Sequence, residues 1–199
     1  MGIKHIFTSA KADDPDATLI NPSNWNDDHE GSEVLDRNAS TSDVANTTSE
    51  TTVYTFTIPA GVLGVDGGFE AILGGDMLVN VAGTLTLRIK LGATTVFVSN
   101  AFDPINNPNR FKWLLEIFCL NVSAASQKWV CRFSAREGAN NLSIDNTDAA
   151  GGVGGEGYNT SAENTAGALA LVVTAQWSVA SASLSFRKEM AKLTRTPPV

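Results

Sequence analysis

The chain has 199 residues and a formal net charge of -7, from 14 Lys and Arg against 21 Asp and Glu, with 43% hydrophobic and 18% charged residues; this is the composition of one globular domain, with or without an arm. Residues 1–50 hold ten acids and three bases while the remainder holds eleven of each, so the acidic excess sits wholly in the first quarter. A neutral body behind an acidic leader lacks the basic stripe of a phosphate-tracking nucleic-acid binder, and no apolar run approaches the 18 residues of a membrane span. Neither nucleic acid nor membrane is therefore expected as a partner.

Residues 1–50 show neither a helical nor a strand period. Small polar residues and acids dominate, with isolated apolar positions such as Ile3, Ile6, Phe7, Leu19, Ile20 and Trp25. Such a segment cannot build a core of its own and reads as an extended acidic docking arm that gains order by lying on something else. Phe7, Ile20, Pro22, Trp25, Asn26 and His29 are its candidate docking residues. Trp25 is foremost, because a lone Trp among polar residues has no local core to join and fits a pocket of the same or a neighbouring subunit. The start, Met1 to Phe7, is too short and too soon followed by acids for a secretory signal, so synthesis in a cytosol is expected.

From residue 51 to 199 the pattern has period two, the mark of half-buried strands. Residues 52–58 place Tyr54, Phe56 and Ile58 on one face and Thr55 and Thr57 on the other. Residues 69–73 and 77–81 read as two short runs parted by Gly74, Gly75 and Asp76. Residues 84–91 alternate cleanly, with Leu85, Leu87, Ile89 and Leu91 inward, and 94–99 follow the turn at Gly92. Residues 110–122 are apolar on both faces, which predicts a central strand covered by the core on one side and by another subunit or the arm on the other. Trp113, Leu114, Phe118 and Leu120 are its candidate subunit-interface residues. Residues 128–136 return with Trp129, Cys131 and Phe133 on one face. A glycine-rich exposed loop is expected at 151–157, and Gly151, Gly155, Tyr158 and Asn159 are candidates for receptor contact through it. Two last strands fall at about 168–179 and 182–193. Many short strands, regular turns and no convincing helix indicate an all-β chain folded as a single β-sandwich, with a jelly roll fitting best.

The catalytic inventory is thin. His5 and His29 both lie in the irregular leader, where no rigid scaffold would hold a base at proton-transfer distance, so a hydrolase is the weakest of the functional readings and a non-enzymatic role is expected. Asp13, Asp14 and Asp16, and Asp27 with Asp28, lack the spacing of a calcium loop and read as a solvated or partner-facing patch. No zinc-ligand spacing is present, and the glycine-rich stretch lacks the Gly-Lys-Ser/Thr of a phosphate loop; no metal or cofactor is expected. Cys119 and Cys131 flank a turn-like stretch and could lie nearly opposite each other in a hairpin, with two reduced core thiols the expected state.

The run Ser9-Ala-Lys-Ala-Asp13 followed by Pro22-Ser-Asn-Trp-Asn-Asp-Asp-His29 resembles the N-terminal leader of many tailed-bacteriophage virion structural proteins. It covers about the first thirty residues. The resemblance implies a virion protein, made in the bacterial cytoplasm, whose leader precedes a variable body, and for jelly-roll proteins of this size it implies a homotrimer. The chain stops after one sandwich where fibre proteins continue, which favours a head decoration or cement protein bound to other virion proteins over a tail fibre that reads a host receptor or glycan.

Overall fold

Alternating apolar and polar residues commit the chain to strands whose inner faces must find one another. The computed structural model describes residues 33–104, 106–137 and 153–198, and among these there are strands but no helix. In chain order they are β1 (Glu33–Asn38), β2 (Ser42–Ala45), β3 (Thr51–Ile58), β4 (Gly68–Val79), β5 (Leu85–Leu91), β6 (Thr94–Val98), β7 (Asn107–Ser123), β8 (Ser126–Glu137), β9 (Val153–Ser161), β10 (Leu169–Trp177) and β11 (Leu184–Thr196). They form two antiparallel sheets. The larger runs β1-β11-β4-β7-β8-β9, with β2 also paired to β11, and the smaller runs β3-β10-β5-β6.

This connectivity is a jelly roll. The order β2-β11-β4-β7 in one sheet and β3-β10-β5-β6 in the other is that of two nested Greek keys, in which the chain crosses between sheets as it winds inward and out again. Two additions extend it. The chain inserts β8 and β9 between β7 and β10, and they pair onto the flank of β7 that would otherwise be a sheet edge. Strand β7 is therefore central in its sheet, held by β4 on one side and β8 on the other, while only its inner face is buried within the chain.

The second addition corrects the division of the chain at residue 51. Residues 33–50 belong to the sandwich: β1 pairs with residues 191–195 of β11, and β2 with residues 185–188. The period was invisible because these strands are short and polar and take their place from backbone pairing to a long partner. Side chains tie them in as well. Tyr54 Oη donates to Asp36 Oδ2 at 2.9 Å, and Trp177 Nε1 on the small sheet donates to the Val44 carbonyl at 3.0 Å.

A second correction concerns β4, which runs unbroken through Gly74, Gly75 and Asp76 where two separate runs were expected. These glycines serve close approach instead of a turn. A Cβ on Gly75 would lie 1.9 Å from the Arg187 carbonyl oxygen and 2.9 Å from the Trp113 ring, so only hydrogen fits there.

The core lies between the sheets. Leu85, Leu87, Ile89 and Leu91 of β5 face Phe111, Trp113, Leu115, Ile117 and Cys119 of β7, all buried. Trp113 stacks on Phe186 with ring centroids 4.5 Å apart, and Trp129 meets Phe69 edge-on at 5.5 Å. Each described Trp also places its N–H on an acceptor, Trp113 on the Arg187 carbonyl and Trp129 on Ser161 Oγ, so the rings bury no orphaned donor.

Candidate functional site

The outer face of the large sheet is the surface that most needs explanation. With β7 central, its outward side chains line up with those of β8 and β9 in rows set by the register. One row reads Glu70, Phe118, Val130, Tyr158 across β4, β7, β8 and β9; the next reads Gly68, Leu120, Lys128, Thr160. Phe118 is 41% exposed, Leu120 53%, Val130 47% and Tyr158 65%, with Leu114 and Val122 on the same face and also exposed. Single exposed apolar residues are ordinary, but a contiguous group across three strands marks a contact surface. Of the four expected interface residues, Leu114, Phe118 and Leu120 open onto this face. Trp113 does not: period two turns it inward, and it is buried against Phe186.

Charges frame the patch. Between the row of Phe118 and the row of Leu114, Arg132 bridges two acids across strands, with Nε 2.8 Å from Glu156 and Nη1 3.6 Å from Glu116. At the far end Asp76 receives Arg110 at 2.5 Å and Lys112 at 3.5 Å, with Arg187 at 3.9 Å. Burial pushes the Asp76 carboxyl up, but the hydrogen bond from Arg110 and the surrounding cations outweigh it and hold the group below its ordinary value. Other bases on this face, Arg37, Lys128, Arg136 and Lys192, make no ion pair among the described residues. The face is thus apolar in its middle, with Glu70 in the row of Phe118 and bases one or more rows away.

The expected receptor loop is also corrected. Residues 153–161 form strand β9, in register with β8 from Gln127 opposite Ser161 to Ala135 opposite Val153. Gly155, Tyr158 and Asn159 are therefore edge-strand residues, and Gly151 lies outside the described residues. Glycine-rich sequence hid the strand because the pattern lacks side chains to alternate. Its glycines have a steric cause at one position at least: a Cβ on Gly157 would lie 2.9 Å from the Phe97 ring. Asn159 Nδ2 donates to the Val96 carbonyl, which binds β9 to the edge of the small sheet. Tyr158 alone of the three is free to meet a partner with a large side chain.

Where β6 and β9 approach from opposite sheets, a cavity of about 380 Å³ opens between Leu87, Ile89, Phe97, Phe102, Leu115 and Phe133. Cys131 also lines it. Its walls are mainly apolar, with Ser99, Asn100 and Glu156 as the polar part of the lining. Sequence reasoning missed this cavity, and the nearest signal to it was the glycine run of β9.

Cys119 and Cys131 are both free thiols, two residues out of register with each other: Cys119 stands opposite Trp129 and Cys131 opposite Ile117. Burial pushes both thiols up to about 12, so neither is a thiolate at neutral pH. Lys188 is buried, its Nζ donating to Asn38 Oδ1 at 2.6 Å and to the Ser40 carbonyl at 2.5 Å; burial lowers its pKa, against the pull of Asp36 and Glu189. These contacts make it a tie between β11 and the β1–β2 turn. Among the described residues no group of three or more His, Cys, Asp or Glu is placed to hold a metal. Phe7, Ile20, Pro22, Trp25, Asn26, His29 and His5 lie outside the described residues. No protein-family model matches the chain, and no curated protein matches it.

Proposed function

We propose that the chain is a non-enzymatic structural protein of a bacteriophage virion, a trimeric decoration or cement protein of the head that attaches to other virion proteins through its N-terminal segment. The observation that carries an assembly role is the bare row of Phe118, Val130 and Tyr158 on the outer face of the large sheet, bordered by Lys128 and Lys192, which a solitary chain would leave in water. The phage setting comes from the resemblance of residues 9–13 and 22–29 to virion leaders.

Emptied phage heads incubated with the purified protein test this reading. Saturable binding to the heads, with leakage of DNA from particles that lack the protein, is the expected result. Adsorption of the protein to host cells with protection from infection would overturn it in favour of a tail-tip protein that reads a receptor or glycan, a reading favoured by the exposed ring of Tyr158 on the edge strand β9. Trimerisation is read separately by sedimentation equilibrium.

A further inference from the structure

We infer that Lys188 and Asn38 condense to an internal isopeptide bond, a covalent amide between β11 and the end of β1. The inference rests on the polar contacts at that junction and is independent of the assembly reading.

Lys188 shares the inward face of β11 with Phe186 and is only 2% exposed. Its ammonium makes no ion pair among the described residues. Lysine is almost never buried so fully without a counter-charge, because the charged form gives up its hydration. The backbone nevertheless aims it inward. Strand β11 pairs with β2 as far as Lys188 and with β1 from Ala191, and between Lys188 and Met190 its ladder with β4 is broken by a bulge. Bulges of this kind redirect a side chain. Here Nζ arrives at the link between β1 and β2, 2.6 Å from Asn38 Oδ1 and 2.5 Å from the Ser40 carbonyl.

Asn38 is set as the electrophile. The Ser40 amide donates to the same Oδ1 at 3.0 Å, which fixes the oxygen end of the side-chain amide and polarises its carbonyl. Burial lowers the Lys188 pKa, against the pull of Asp36 and Glu189, and so raises the share of neutral amine able to attack. Those two carboxylates are the candidates to carry the proton. Glu189 is engaged, receiving Thr41 Oγ1 at 2.8 Å and Arg187 Nη1 at 3.5 Å. Asp36 stands two residues before Asn38 on the same face of β1, and Tyr54 Oη holds it by Oδ2 alone. The proton therefore passes through Asp36.

In the reaction, neutral Nζ attacks Asn38 Cγ, and the charge that gathers on Oδ1 is received by the Ser40 N–H. Asp36 takes a proton from Nζ and returns it to Nδ2. The Cγ–Nδ2 bond breaks, ammonia leaves, and the Nζ–Cγ amide remains; no oxidant or second substrate is consumed. The product removes the cost of the burial, since a charged ammonium becomes a neutral amide. Its N–H keeps the Ser40 carbonyl as acceptor and its oxygen keeps the Ser40 N–H as donor. The bond joins residues 150 apart and ties the first described strand to the last, so a pull on β1 passes to β11 covalently.

Intact-mass spectrometry of the purified full-length protein, denatured before measurement, tests the bond. The expected mass lies about 17 Da, one ammonia, below that of the sequence, and a tryptic digest yields a branched peptide joining the stretch around Asn38 to that around Lys188. Lys188→Arg and Asn38→Ala should each restore the mass of their own sequence, and Asp36→Asn should leave a folded chain in which Lys188 and Asn38 are unjoined. A wild type at full sequence mass overturns the inference. So does a loss of ammonia that survives in Lys188→Arg, which assigns it to an asparagine closing on its own backbone. Complete joining in Asp36→Asn overturns the role given to Asp36. Should the variants fail to fold, the wild-type mass and the branched peptide decide alone. None of these readings involves heads or host cells, so the bond and the virion reading fail separately.

Discussion

Gln127 offers the sharpest check on how the added strands are held. It is fully buried, and its Oε1 accepts from Ser161 Oγ at 2.8 Å and from the Glu163 amide at 3.0 Å, while its Nε2 donates to the Glu163 carbonyl at 2.9 Å. Ser161 Oγ in turn accepts from Trp129 Nε1 at 2.9 Å. One side chain thus clamps the start of β8 to the end of β9 and to the loop that leads into β10. Gln127→Leu keeps the volume and removes all three bonds. The Glu163 amide and carbonyl lose their buried partner at about 1–3 kcal/mol each. Burial of the leucine methyls returns about 1–2 kcal/mol. The midpoints of these ranges leave a net loss of about 2.5 kcal/mol, which for a chain of this size is a fall in Tm of roughly 5–10 °C. Urea unfolding followed by Trp emission measures it, with an unchanged m-value as the condition for reading the midpoint as stability. The cycle of Gln127→Leu with Ser161→Ala should show coupling of about 0.5–3 kcal/mol, since the two side chains touch. A loss below about 0.5 kcal/mol, the scale of an ordinary surface substitution, or strict additivity in the cycle, would refute the clamp.

Other expectations follow from the same geometry. The Asp76 carboxyl is held below its ordinary value in the fold, so the stability it contributes is present above the unfolded carboxylate pKa of about 4 and is lost as pH falls through the lower folded value; Asp76→Asn should flatten the acid limb of a stability–pH profile, and an unchanged limb would contradict the ion-pair assignment. Gly157→Ala should cost about 1–2 kcal/mol because its methyl meets the Phe97 ring, whereas at Gly155, where a Cβ meets nothing within 4 Å, the same change should be neutral or stabilise by about 0.4–1 kcal/mol; thermal melts of the pair that come out equal would remove the steric explanation. With both thiols pushed up to about 12 by burial, Cys119 and Cys131 should resist iodoacetamide at pH 8 in the native protein and react once it is unfolded, and rapid native labelling at Cys119 would show that β7 is not packed as described.

Much of the sandwich is legible in the sequence because a strand's two faces are written in alternate residues. Leu85 to Leu91, the inward set of β7, and Trp129 and Trp177 all fall where a period of two places them, since burial on one face and water on the other select residue types one by one. The boundary at residue 51, the break at Gly74 and Gly75, and the loop at 151–157 failed for a common reason. In β1, β2, the middle of β4 and β9, order comes from backbone hydrogen bonds to a neighbour and from close approach to Arg187 or Phe97, which leave polar residues and glycine free to stand in strands.

By itself the sequence determined the fold class and most of the inward residues, because each of these is a property of single positions or of sums over them. It also showed that β7 is apolar on both sides. Only the tertiary structure decided what that means. The insertion of β8 and β9 turned β7 from an edge into a centre and aligned Phe118 with Val130 and Tyr158. A row across strands depends on register between segments far apart in the chain, and register is fixed by pairing that no local pattern encodes.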